Sequence, residues 1–144
     1  MAKNLAAVQS LAQRYPGRVN LMLVPSARWS TLRTFRAGAP QIDEKGILEG
    51  VAAQGEAYGR FIDVLPALTE HKEEYLYYRT DHHWTTLGAY YAYQQFCETL
   101  GLTPFDRDAH TAETCEDFYG THYSRPAPGT PSLTPLPGTT CRTA

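Results

Sequence analysis

The sequence predicts an α/β fold in which a short parallel sheet is flanked by helices. Three observations carry this. An amphipathic pattern over residues 3–15 is followed by a segment over residues 18–25 whose centre is almost continuously apolar, the signature of a strand covered on both faces. Two further β-rich runs, 61–64 and 75–78, alternate with helical patterns. The residues richest in chemistry, 77–93, begin where the last run gives way to a helix. Open α/β sheets place their ligand crevices beyond the carboxyl ends of strands.

The elements follow in order. Leu5, Val8, Leu11, Ala12 and Tyr15 recur at helical spacing, and Pro16-Gly17 ends that helix. The apolar run is centred on Leu21-Met22-Leu23-Val24 and closes at Pro25. Ser26 lies just past it, and residues 27–40 read as a loop ending in Gly38-Ala39-Pro40. Ile42, Leu48, Val51 and Ala52 suggest a helix interrupted by Gly46 and Gly50. Phe61-Ile62-Asp63-Val64 is a second strand, with Asp63 either at its crevice end or serving the next turn. A short helix over 66–71 ends in His71 and Lys72, cations that suit a helix C-terminus. Tyr75-Leu76-Tyr77-Tyr78 is an aromatic third strand. The long helix after it starts at a Thr85 or Thr86 N-cap and runs to about Leu100. It is stopped by Gly101 and Pro104. Its apolar face is expected at Ala89, Tyr93, Phe96 and Leu100, with Leu87 and Tyr91 beside it. Gly88 leaves room for backbone or Trp84 to approach. Phe118-Tyr119-Gly120-Thr121 looks ordered and placed to cover the crevice.

The chain divides into an α/β domain over 1–123 and a tail over 124–144. Residues 124–138 hold five prolines and no acidic residue, so the tail is expected to be disordered. With 144 residues and 42% hydrophobic content, the chain is long enough for one packed core. A net charge of −2 gives no electrostatic case for nucleic acid. No apolar run reaches the roughly 20 residues a membrane helix needs, and Met1-Ala2-Lys3-Asn4 does not open a signal peptide. Cys97, Cys115 and Cys141 match neither a zinc nor a disulfide pattern, and Cys97 reads as a small buried group in the long helix. No cofactor is expected.

Chemistry concentrates in Arg79-Thr80-Asp81-His82-His83-Trp84. In an extended segment, residues two apart face the same side, so Asp81 and His83 meet while His82 turns away. A carboxylate accepting from one imidazole nitrogen fixes the tautomer and leaves the other nitrogen as a base. Asp81 and His83 are therefore the candidate catalytic pair, Asp81 as orienter and His83 as general base. The same residues also admit a metal site at His82 and His83, or a satisfied structural cluster. Metal is not the favoured reading, because adjacent histidines in an extended chain diverge. Trp84, Arg79 and Tyr90 are candidate substrate-binding residues, joined by Ser26, which is also a candidate substitute nucleophile. Arg28 and Trp29 are candidates to line the same crevice. Asp106, Asp108 and His110 read as an exposed loop.

The segment Tyr78-Arg79-Thr80-Asp81-His82-His83-Trp84-Thr85-Thr86-Leu87-Gly88-Ala89-Tyr90 closely resembles the signature of the DHHW protein family, a relative of the alginate O-acetylation proteins. The resemblance is dense over about thirty residues. It extends loosely back to residues 19–25 and forward to Phe118-Tyr119-Gly120. It implies an SGNH-like (flavodoxin-like) three-layer domain, partial in this chain, and an O-acetyltransferase or esterase acting on a surface polysaccharide. It implies that Asp81 and His83 are the acid and base of a triad. The triad's serine would lie in a later Asp/Gly-x-Ser-Tyr-like segment, which this sequence does not contain. The expectation is thus a truncated or frame-shifted copy, inactive alone, with a partner chain as one source of the missing part and a true Pro-rich linker as the alternative reading of the tail. A polysaccharide or acyl-donor substrate and an extracytoplasmic or cell-surface location are implied too. A non-catalytic carbohydrate-binding module is the competing reading.

Overall fold

The computed structural model describes residues 2–28, 42–54, 57–111, 113–115, 118–121 and 141–143. Helix α1 (Ala2–Arg14) leads into β1 (Asn20–Met22), and α2 (Glu44–Ala52) into β2 (Arg60–Ile62). Next come the short α3 (Leu65–Glu70) and the long α4 (Thr86–Leu100). A 3-10 turn (Arg107–Ala109) and two short strands, β3 (Glu113–Cys115) and β4 (Cys141–Thr143), complete the described chain.

β1 and β2 pair in parallel, with Asn20 opposite Arg60, Leu21 opposite Phe61 and Met22 opposite Ile62. Parallel neighbours need a crossover connection, and α2 lies within it. The helix begins at Asp43, whose carboxylate accepts the Gly46 N–H at 2.9 Å, an N-cap that satisfies an otherwise orphan donor. β1 is only half-buried, less covered than its unbroken apolar run predicts. β3 pairs antiparallel with β4, and Cys115 stands opposite Cys141. Of the tail over 124–144 expected to be disordered, residues 141–143 form β4 and the rest falls outside the described residues.

The core is built from Ile62, Val64, Leu68, Leu76, Tyr77 and Ala92, with Met22, Trp84, Leu87 and Phe96 packed against it. It lies where β2, α3 and α4 converge. Asp63 accepts the Leu65 N–H at 3.1 Å, so it serves the turn into α3. His71 caps the end of α3 and stacks on Tyr91 with ring centroids 3.7 Å apart.

Two expectations are corrected. Residues 75–78 do not form a strand. Only Tyr77 bridges, antiparallel, and its partner is Trp84 just beyond it. The fully buried residues of α4 are Gly88, Ala92 and Cys97; of the face expected from the sequence, Phe96 packs against the core with Leu87 and Tyr91 beside it, while Ala89, Tyr93 and Leu100 are only half-buried. Small residues face inward because the helix lies hard against the chain at Leu76. A Cβ on Gly88 would sit 2.6 Å from the Leu76 carbonyl oxygen and 3.2 Å from Trp84 Cβ, so glycine alone allows this approach.

Candidate active site

The site is a closed loop over residues 77–84, tied at its neck. The Tyr78 N–H donates to the His83 carbonyl at 3.2 Å, and the Thr85 N–H donates to the Leu76 carbonyl at 2.8 Å. The Thr85 hydroxyl donates to the Tyr75 carbonyl at 2.7 Å and accepts the Gly88 N–H at 3.3 Å. Thr85 is thus both the N-cap of α4 and the clasp of the loop. The buried Tyr77 hydroxyl donates to the Pro25 carbonyl at 2.6 Å, which fixes the loop to the chain leaving β1.

Within the loop, Asp81 and His83 meet as predicted, but not by extended-chain alternation. The chain bends. The His83 N–H donates to Asp81 Oδ1 at 2.9 Å, an Asx-type turn, and the His83 ring Nδ1 bonds the same oxygen. The bend also overturns the expected divergence of the two imidazoles. The His82 and His83 rings lie 3.9 Å apart, tilted by 37°.

Residues 118–121 close over the loop from the far side. The Phe118 ring packs on Tyr78 at 4.5 Å, and the Gly120 N–H donates to Thr80 Oγ1 at 3.1 Å. The Thr121 N–H and hydroxyl both donate to Asp81 Oδ2, at 2.9 and 3.0 Å. A Cβ on Gly120 would lie 2.5 Å from Asp81 Cβ, so this contact also requires glycine.

Asp81 therefore accepts four hydrogen bonds, two on each oxygen. Burial pulls its carboxyl upward, but the Thr121 and His83 amides and side chains outweigh burial and hold it well below the usual carboxylate range. Its side chain is 7% exposed, against 63% for His83. The result is a fixed, ionised carboxylate gripping one nitrogen of an accessible imidazole. Such a pair holds a base in one tautomer and stabilises the imidazolium when it forms.

Ligand-type atoms of Asp81, His82 and His83 lie within 4.8 Å of one another. An ionised carboxylate has about four lone-pair sites, and here each has a donor. A cation bound at Asp81 would have to displace one of them. His82 Nδ1 instead lies 3.2 Å from Thr121 Oγ1.

A cavity of about 560 Å³ opens beside the pair. It is lined by Leu23, Val24, Pro25 and Ser26 after β1, by Glu44, Ile47 and Leu48 of α2, and by Tyr77, His82, His83 and Trp84. Of the residues predicted for the site, Ser26, His83 and Trp84 share this cavity. The Ser26 N–H donates to Glu44 Oε2 at 2.9 Å. Arg79 and Tyr90 are placed elsewhere. The Arg79 guanidinium lies over the Tyr75 ring at 6.0 Å. Tyr90 groups with Tyr93 and Phe105 and donates to the Phe105 carbonyl at 3.1 Å. Two residues along a helix turn the side chain by about 200°, so Tyr90 points away from the Gly88–Ala92 stripe. Arg28 does not line the cavity, and Trp29 lies outside the described residues. A second cavity of about 530 Å³, between α1 and the start of the sheet, contains no acid–base pair. Residues 118–121 cover the site as expected, but the pairing of Thr121 with Asp81 was not anticipated. Thr121 lies 40 residues from Asp81, and no local pattern joins them.

The family model described as DHHW protein matches residues 3–140. Among solved structures, a DHHW family protein from Eubacterium siraeum DSM 15702 is 30% identical, with a TM-score of 0.72. The alignment covers 85% of this chain and 41% of that one. The O-acetyltransferase domain of AlgJ from Pseudomonas putida is 22% identical, with a TM-score of 0.62, covering 85% of this chain and 48% of that one. PatB1 from Bacillus cereus is 16% identical, with a TM-score of 0.69, covering 99% of this chain and 50% of that one. The chain thus spans half or less of the length of the solved structures it matches. No curated protein matches it in sequence. These similarities show the SGNH-like α/β fold that the sequence predicts.

Proposed function

This chain belongs to the DHHW protein family, and from that premise we propose that it carries the proton-handling half of an acyl-transfer site acting on polysaccharide. The observation that carries the reading is the bond between Asp81 Oδ1 and His83 Nδ1 at the edge of an open cavity. Similarity to an O-acetyltransferase domain supports the acetyl-ester class.

In this reading His83 takes the proton of an attacking hydroxyl as its oxygen bonds to the acyl carbon. When the old ester bond breaks, His83 returns that proton to the leaving oxygen. Asp81 stays ionised throughout and stabilises the transient imidazolium. Trp84 and Ser26 border the reacting groups. The substrate is a polysaccharide and an acyl donor, encountered outside the cytoplasm. Among the described residues no helix is long and apolar enough to cross a membrane. The attacking serine is supplied by a segment not represented in these 144 residues, whether from the same protein or from a partner. Triad members act as a unit, so the chain alone should turn over activated acetyl esters slowly or not at all.

The test joins this chain to the remainder of the AlgJ O-acetyltransferase domain and measures hydrolysis of an activated acetyl ester. Activity that disappears in His83→Ala is expected. A folded chimera whose activity is indifferent to His83 would refute the assignment.

A further inference from the structure

His82 has no task in the acid–base chemistry of Asp81 and His83, yet it is placed with care. Its ring is 61% exposed, lines the cavity beside His83 and lies 3.9 Å from the His83 ring, centroid to centroid. An exposed side chain held this closely needs a tie. His82 Nδ1 is 3.6 Å from Asp81 Oδ1, beyond hydrogen-bond range, but 3.2 Å from Thr121 Oγ1.

The direction of that contact follows from counting protons. The Thr121 hydroxyl has one, and it goes to Asp81 Oδ2 at 3.0 Å, because an ionised carboxylate only accepts. Thr121 Oγ1 can then only accept from His82, so the hydrogen-bond network assigns the neutral His82 ring its proton on Nδ1. His83 takes the same tautomer through its own bond to Asp81. One carboxylate thus sets the proton position on both rings, on His83 directly and on His82 through the Thr121 hydroxyl. Donors and acceptors alternate along this chain, and each bond polarises the next.

We propose that His82 is a positioning residue for the base: tied by Thr121, its ring forms a fixed wall on one face of the His83 imidazole and keeps Nε2 of His83 aimed at the reacting hydroxyl. The proposal rests on the acyl-transfer reading above and adds a residue to it. The His83 side chain is 63% exposed, and the bond to Asp81 holds its ring at one nitrogen only. Displacing a reacting group by about 1 Å can cost roughly a hundredfold in rate, so a second restraint on this ring has a chemical purpose. His82 itself keeps its Nδ1 proton throughout.

The test reads both imidazoles in the full chain by ¹⁵N NMR and ring ¹³C relaxation, at a pH where both are neutral. In the parent, which needs no variant to fold, His82 should carry its proton on Nδ1. That preference should be lost in Thr121→Val and regained in Thr121→Ser. His82→Ala removes the wall, and the order parameter of the His83 ring should fall from near the rigid value of about 0.85 toward the flexible range below about 0.6. Unchanged amide resonances in α1 and α4 would show that this variant is folded. A His82 proton on Nε2 in the parent would overturn the proposal. So would a His83 ring equally rigid with and without the His82 ring. Either result would leave the proton-transfer reading standing, because that reading depends on the tautomer of His83 and not on that of His82.

Discussion

Replacing Thr121 with valine tests the clamp on Asp81. Valine keeps the shape of threonine and the backbone N–H bond to Oδ2 at 2.9 Å, but removes the hydroxyl donor at 3.0 Å. A hydrogen bond to a charged group contributes about 1.5 kcal/mol at the lower end of its range. At 1.36 kcal/mol per pH unit, losing this bond should raise the Asp81 titration midpoint by about one unit. The low exposure of the carboxylate limits how far water can replace the lost donor. The assay is a pH titration of the Asp81 carboxyl carbon by NMR, in the parent, Thr121→Val and Thr121→Ser. Serine restores the hydroxyl and should restore the midpoint. If Thr121→Val titrates like the parent, or Thr121→Ser like Thr121→Val, the hydroxyl does not hold the carboxylate.

Further expectations concern stability and its pH dependence. The folded Asp81 carboxyl titrates below its unfolded value. Its contribution to stability is therefore complete above the ordinary aspartate range and is lost as pH falls toward the folded value. Thermal melts of the parent and Asp81→Asn should differ at neutral pH and converge in strong acid; a gap that widens in acid would contradict this. Gly88→Ala forces a methyl against the Leu76 carbonyl and should cost about 2 kcal/mol of stability, read as a lower midpoint in urea. Tyr77→Phe leaves the Pro25 carbonyl without its buried donor and should cost about 1–3 kcal/mol. An unchanged melting temperature would show that the loop does not depend on that tie.

Much of this was legible in the sequence because it is local. The helices at α1, α2 and α4 follow from apolar spacing, and the Thr85 cap from its place before that pattern. The meeting of Asp81 and His83 was also expected, from side-chain alternation in an extended segment. The manner of their meeting was not. A strand over 75–78 suits the tyrosines by propensity, yet Tyr77 turns back to bridge Trp84, because the Thr85 clasp and the Tyr77–Pro25 bond dictate a loop. Propensity is blind to such ties. The buried face of α4 was partly misjudged for a related reason. Phe96, Leu87 and Tyr91 do pack on the core as expected, but the fully buried positions are Gly88, Ala92 and Cys97, and the close approach at Leu76 selects the glycine. The segment holding Thr121 was expected over the crevice, but its bond to Asp81 was out of reach because the two are 40 residues apart. Tyr90 was drawn toward the site by proximity in sequence, and helix geometry turns it away.

The most direct measurement is a ¹⁵N-resolved NMR spectrum of the His83 imidazole. With the ring neutral, the account predicts the proton on Nδ1, hydrogen-bonded to Asp81, and a bare Nε2, with that preference lost in Asp81→Ala. A proton on Nε2 in the parent, or a tautomer unaffected by removing the carboxylate, would contradict it.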